Sequence, residues 1–118
     1  MPEDRSNKIS CGNHHNPIEV TIEILSGKWK ALILWNLNKH EVIRFNQFKR
    51  LMPDITQKML TQQLRNLSKY HLIDKTVYPQ TPPMVEYYLT DMGKKIIPIL
   101  AQMEEWGEEF IDFYEDEL

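Results

Sequence analysis

The stretch TQKMLTQQLRNLSKY, Thr56 to Tyr70, decides how the chain is read. Counted at about 100° per residue, Leu60, Leu64 and Leu67 fall on one side of a helix. Lys58, Thr61, Gln62, Arg65 and Lys69 fall on the other. This outer face is long, polar and cationic, with no acidic residue on it. Gln57 lies nearer the apolar side than its polar neighbours, and Thr56 can cap the helix with its hydroxyl. Just upstream, Pro53-Asp54-Ile55 reads as a turn. Before that, FNQFKRLM spaces Phe45, Phe48, Leu51 and Met52 three or four apart, the pattern of a short helix. Thr56 to Tyr70 is then the second member of a tight helix–turn–helix.

Charge is segregated around this unit. The 118-residue chain is acidic, at net −3. Yet Arg44 to Lys75 holds seven cations and two anions, a local +5, whereas Glu104 to the end holds eight acids and no base. A partner meets the local field rather than the net charge, so the acidic total does not exclude a polyanionic ligand. The length fits one domain with one core, and the 26% charged fraction is ordinary for a soluble protein. No run of 18 or more apolar residues suggests a membrane span. The polar start MPEDRSNKIS lacks a signal-peptide core. A single cysteine allows no internal disulfide, and a cytoplasmic location is expected.

The remaining punctuation gives the architecture. Residues 1–15 lack apolar periodicity and read as a flexible arm, with a domain expected over residues 16–118. Ile18 to Leu25 fits both an alternating strand and a helix. Asn16 as a cap, Pro17 in the first turn and Gly27 at the end favour helix. Lys28 to Asn38 is apolar nearly all round and is expected to be a buried central helix. Glu41 to Arg44 reads as a short extended piece. After the helix–turn–helix, His71 to Tyr78 and Val85 to Leu89 read as two strands, joined by the proline-rich tip PQTPP. Thr90-Asp91 opens a long terminal helix that Pro98 should kink. The fold expected is mainly α with a small β-hairpin: a winged helix–turn–helix.

Helix residues placed in a major groove can read base edges, with Gln matching adenine and Arg or Lys matching guanine. Gln57, Lys58, Thr61, Gln62 and Arg65 are the candidate readers on the helix over about 56–70, and Thr56 at its start is grouped with the DNA-binding residues. Lys49, Arg50 and Lys69 are candidates for phosphate contact, which positions without reading sequence, and Arg44 is a further candidate for contact with DNA. Gln80 and Thr81, at the tip of the wing over about 78–85, could reach the minor groove or the adjacent backbone. In an isolated helix such a face is more often merely solvated. The +5 cluster, the short turn and the wing weigh against that here. The alternative of a different class is a winged helix that docks an acidic protein and reads no DNA. No enzyme is expected, since glycine-rich phosphate loops, G-x-S-x-G elbows and H-E-x-x-H pairs are lacking. No cofactor or metal is expected either. Cys11, His14 and His15 could ligate, but a structural zinc site usually needs four ligands.

The order and spacing of LSGKWKALILWNL (Leu25 to Leu37), RFNQFKRLMPDITQKMLTQQLRNL (Arg44 to Leu67), YPQTPPMVEYYLTDMGKKIIPIL (Tyr78 to Leu100) and Trp106-Gly107 resemble the HxlR family of bacterial transcriptional regulators, a MarR-like group. The resemblance covers roughly Pro17 to Phe110. It implies a dimeric winged-helix protein that binds operator DNA. Some members of the family respond to oxidants or electrophiles through a cysteine. Their sensing thiol commonly precedes the proline that opens the first helix, and here that position is Asn16. Cys11 lies five residues earlier, in CGNHHNP, where His14 and His15 could lower its pKa if close. A small-molecule or oxidant effector is therefore unassigned.

A homodimer is also expected from the apolar stripe of the last helix, Leu100, Met103, Trp106, Phe110 and Phe113. The core has little left for the far end of that helix to cover, and large exposed apolar patches mark interfaces. Ile18, Ile22 and Leu25 could supply the matching surface.

Overall fold

The computed structural model describes residues 16–117. The elements are α1 (Pro17–Leu25), α2 (Lys30–His40), β1 (Ile43–Arg44), α3 (Phe45–Leu51), α4 (Gln57–Lys69), β2 (Ile73–Tyr78), β3 (Met84–Leu89), α5 (Asp91–Lys95) and α6 (Ile97–Glu117). The ambiguous first segment is helical. The Asn16 side chain accepts a hydrogen bond from the Ile18 N–H at 3.0 Å, and Pro17 begins the first turn. Both features favour a helix start over an edge strand.

One core joins these elements. Ile33, Leu34 and Leu37 of α2 pack with Ile43, Phe48, Met52 and Ile55, with Leu60, Leu64 and Leu67 of α4, and with Leu72, Ile73, Leu89 and Leu100. The three leucines of α4 are thus its inward side, as their spacing requires. Helix α2 is central but not buried all round: Leu32 is exposed and Trp35 half-buried.

Two expectations about secondary structure need correction. The wing is part of a three-stranded antiparallel sheet in the order β1-β3-β2. Strand β1 pairs with β3 in the register Ile43↔Tyr87 and Arg44↔Glu86. Two residues are too few to show a strand period, and Glu41 turns the chain with φ 66° before the strand begins. The terminal helix is broken, not kinked. α5 ends at Lys95 with Ile96 as its C-cap, and α6 starts afresh at Ile97. Pro98 has no N–H to donate to the carbonyl four residues back, so an unbroken ladder cannot pass this point.

The far end of α4 is clasped to the start of α5. His71 takes φ 62°. Its N–H donates to the Ser68 carbonyl at 3.0 Å, and the Leu72 N–H donates to the Leu67 carbonyl at 3.0 Å. These are the paired bonds of a Schellman ending. The Thr90 hydroxyl then donates to the His71 carbonyl at 2.6 Å and accepts from the Gly93 N–H at 3.1 Å. Gly93 lies against the Leu72 backbone, where any Cβ would collide with the carbonyl oxygen. The direction of α4 is therefore set at both ends, by the turn before it and by this clasp after it.

Candidate nucleic-acid interface

The polar side of α4 is built by default once its leucines are buried. Thr56 caps the helix, its hydroxyl oxygen accepting from the Met59 N–H at 3.1 Å. That oxygen serves the backbone first, so Thr56 is a structural residue of the site before it is a reader. Gln57, Lys58, Thr61, Gln62 and Arg65 are all exposed and line one shallow depression along the helix. Gln57, which the angular count puts nearer the core side, belongs with the other four. Lys69 is exposed in the last turn. The strip thus holds two cations, two amides and a hydroxyl, and among the described residues no carboxylate lines it.

A second group gathers between α3 and the wing. A cleft of about 530 Å³ is lined by Arg44, Asn46, Gln47 and Arg50 on one side and by Gln80, Pro82, Pro83 and Met84 on the other. Arg44, Arg50 and Gln80 are brought together here. Lys49 is half-buried, and Thr81 is exposed at the tip, but neither lines the cleft.

Sequence reasoning missed Glu86. Its carboxylate forms an ion pair with Arg44, Nε to Oε2 at 3.6 Å. It also accepts a hydrogen bond from the Tyr78 hydroxyl at 3.0 Å. The hydrogen bond to this carboxylate, followed by its charge, raises the Tyr78 pKa above the ordinary phenol value. Burial does the same for Tyr87 next to it. The signal for Glu86 was the register of β1 against β3, which the short strand concealed.

The residues expected at a subunit interface divide. Ile18, Ile22, Met103, Trp106, Phe110 and Phe113 are exposed, Trp106 to 65%. Leu100 is not: it is 4% exposed and belongs to the core, because the first turns of α6 lie along α2 beside Ala31, Leu32 and Trp35. Leu25 packs against the same core. Beyond Met103 the aromatic rings cover one another instead. Trp106 stacks on Phe110 at 5.3 Å, and Phe110 on Tyr114 at 5.9 Å. Cys11, His14 and His15 lie outside the described residues. Among the described residues no cluster of His, Cys, Asp or Glu could hold a metal ion. No helix there is long and apolar enough to cross a membrane.

A capped polar helix behind a short turn, followed by a hairpin on a three-stranded sheet, defines a winged helix–turn–helix protein. The chain belongs to the HxlR-like helix-turn-helix family, whose model matches residues 24–115. It is 46% identical over 96 residues to the HTH-type transcriptional regulator YdeP of Bacillus subtilis (strain 168), covering 81% of this chain and 74% of YdeP. To YybR of the same organism, also an HTH-type transcriptional regulator, it is 43% identical over 109 residues, covering 92% of this chain and 82% of YybR. Among solved structures, the redox regulator HypR in its reduced form superposes with a TM-score of 0.81 at 44% identity, covering 86% of this chain and 99% of HypR. Family and fold place the chain among transcriptional regulators.

Proposed function

We propose that the protein regulates transcription as a homodimer that binds palindromic operator DNA, with α4 in the major groove and the wing at the backbone or minor groove. The observation that carries this is the exposed strip Gln57, Lys58, Thr61, Gln62 and Arg65 on one helix with its opposite side locked in the core. These side chains have the donors and acceptors that base edges present in the major groove. Lys49, Arg50, Lys69 and Arg44 supply phosphate contacts, and Gln80 and Thr81 supply those of the wing tip. The DNA-binding domain of this proposal begins at residue 16.

A dimer follows from the same task, since two helices about 34 Å apart read successive turns of a palindrome. The exposed rings of α6 and the exposed Ile18 and Ile22 of α1 support it. So does Gly107. It lies inside α6, and beyond its chain neighbours and the nearby backbone of its own helix no atom of the described residues comes within 4 Å of where a Cβ would be. Glycine there costs a helix roughly 1 kcal/mol against alanine, and close approach of a second surface gives that cost a reason. The acidic end of α6 then lies at the dimer side, away from DNA. The protein works in the cytoplasm and as a non-enzyme. A thiol response through Cys11 is supported by the likeness to HypR, named a redox regulator.

Selection of bound sequences from a random duplex pool, with and without diamide, tests the proposal. A palindromic consensus whose retardation survives competitor DNA is the expected result. Enrichment of no sequence would favour a winged helix that docks an acidic protein instead.

A further inference from the structure

Arg44 is held from two directions. Its backbone ends β1 and starts α3, where its N–H donates to the Gln47 Oε1 at 2.7 Å. It faces Glu86 directly across the β1–β3 pair, the spacing at which opposite charges on one sheet face interact. Glu86 is met on its other side by Tyr78. That residue, in β2, pairs with Met84 of β3 and is therefore the diagonal neighbour of Glu86. One carboxylate thus spends one oxygen on Arg44 and the other on Tyr78. It links the strand that leads into the helix–turn–helix to the strand that leads into the wing.

The pair also leaves most of the arginine available. A guanidinium has five N–H donors, and the ion pair with Glu86 lies on its Nε side at 3.6 Å, away from the four donors of the two terminal nitrogens. The Arg44 side chain remains 57% exposed, whereas that of Glu86 is 22% exposed. Arg44 lines the cleft that Arg50 and Gln80 also line. A carboxylate beside a DNA-binding cleft repels phosphate and weakens binding of every duplex unless it does something in return. Fixing the direction of a long, otherwise mobile side chain is such a return.

We propose that Glu86, braced by Tyr78, is a positioning residue that aims Arg44 into the cleft between α3 and the wing, where the guanidinium contacts the DNA backbone or minor groove. Because that contact forms only when α4 is seated on its site, Glu86 supports binding of the selected duplex, while its charge opposes binding of any duplex. This rests on the DNA-reading function proposed above.

The test compares affinities for the duplex recovered from the random pool and for a scrambled duplex of equal length, at one salt concentration. Glu86→Gln keeps an acceptor for Tyr78 but removes the charge that holds Arg44. It should bind the selected duplex roughly three- to fivefold more weakly, the scale of a partly exposed ion pair, and the scrambled duplex as well as wild type or better. Tyr78→Phe should change the selected duplex in the same direction by less. In an Arg44→Ala background Glu86→Gln should cause no further weakening of the selected duplex. Tighter binding of both duplexes by Glu86→Gln would overturn the proposal, because the carboxylate would then only repel DNA. Equal weakening in the Arg44→Ala background would overturn it too, because Glu86 would then support the wing and not Arg44. A wild type that retards no duplex would overturn the DNA-reading function itself, and is recognisable because it appears before any substitution.

Discussion

Arg65 and Gln62 project from the same helix as Leu60, Leu64 and Leu67, yet they belong to a different energetic problem. The leucines are at most 2% exposed and hold the helix; the two polar side chains make no contact that the core depends on. Arg65→Ala and Gln62→Ala should therefore leave the thermal melt unchanged and weaken operator binding by about 1–3 kcal/mol each, the worth of a bidentate base contact. Mobility shifts on the selected duplex measure this. Wild-type affinity in both variants would show that another element reads the sequence. Thr56, on the same helix, behaves differently because its oxygen caps the backbone. Its loss would be felt in stability as well as in binding.

Helix α4 is only as well aimed as its anchors allow. The clasp of His71, Leu72, Thr90 and Gly93 joins its last turn to α5 through backbone carbonyls, which cannot move aside as a side chain can. Gly93→Ala should accordingly force α4 and α5 apart. The expected cost is roughly 1–3 kcal/mol or more, as for overpacking against a rigid neighbour, read as a lower urea midpoint. The same variant should lose operator affinity although residue 93 is far along the chain from the polar strip. A midpoint equal to that of wild type would mean that the clasp opens without penalty.

The two ends of the chain bear on assembly. Leu100 and Trp106 lie on one helix, but the first is in the core and the second is in solvent. Leu100→Ala should destabilise the protomer by about 2–5 kcal/mol. Trp106→Ala combined with Phe110→Ala should leave the protomer folded and shift the mass seen by light scattering at micromolar concentration from dimer to monomer. A monomeric wild type would refute the dimer, and a dimeric double variant would move the interface elsewhere. If Cys11 senses oxidant, diamide should change operator affinity, and Cys11→Ser should abolish the change. With one thiol per chain, the reversible product is an intersubunit disulfide or a mixed disulfide with a small thiol. A response that persists in Cys11→Ser would remove the thiol from the mechanism.

Much of this molecule can be read along the chain. Periodicity and punctuation are local, so the two faces of α4, the Thr56 cap, the Asn16-Pro17 helix start, the turn at Pro53 to Ile55 and the proline-rich tip all announce themselves within a few residues. The segregation of charge is equally plain, and with it the choice of a polyanionic partner. What could not be read depends on residues that meet across long stretches of chain. Strand β1 is two residues long and exists only because β3 offers it hydrogen bonds. Glu86 looks like any strand glutamate until that pairing sets it opposite Arg44. Leu100 continues the apolar stripe of α6 without interruption, and only the position of α2 puts it inside while Met103 and Trp106 remain outside. Gly93 reads as a poor helix former, although its reason is the Leu72 carbonyl pressed against it. Each of these outcomes turns on a distance between elements, and a sequence pattern with a period of two or 3.6 residues carries no information about that distance.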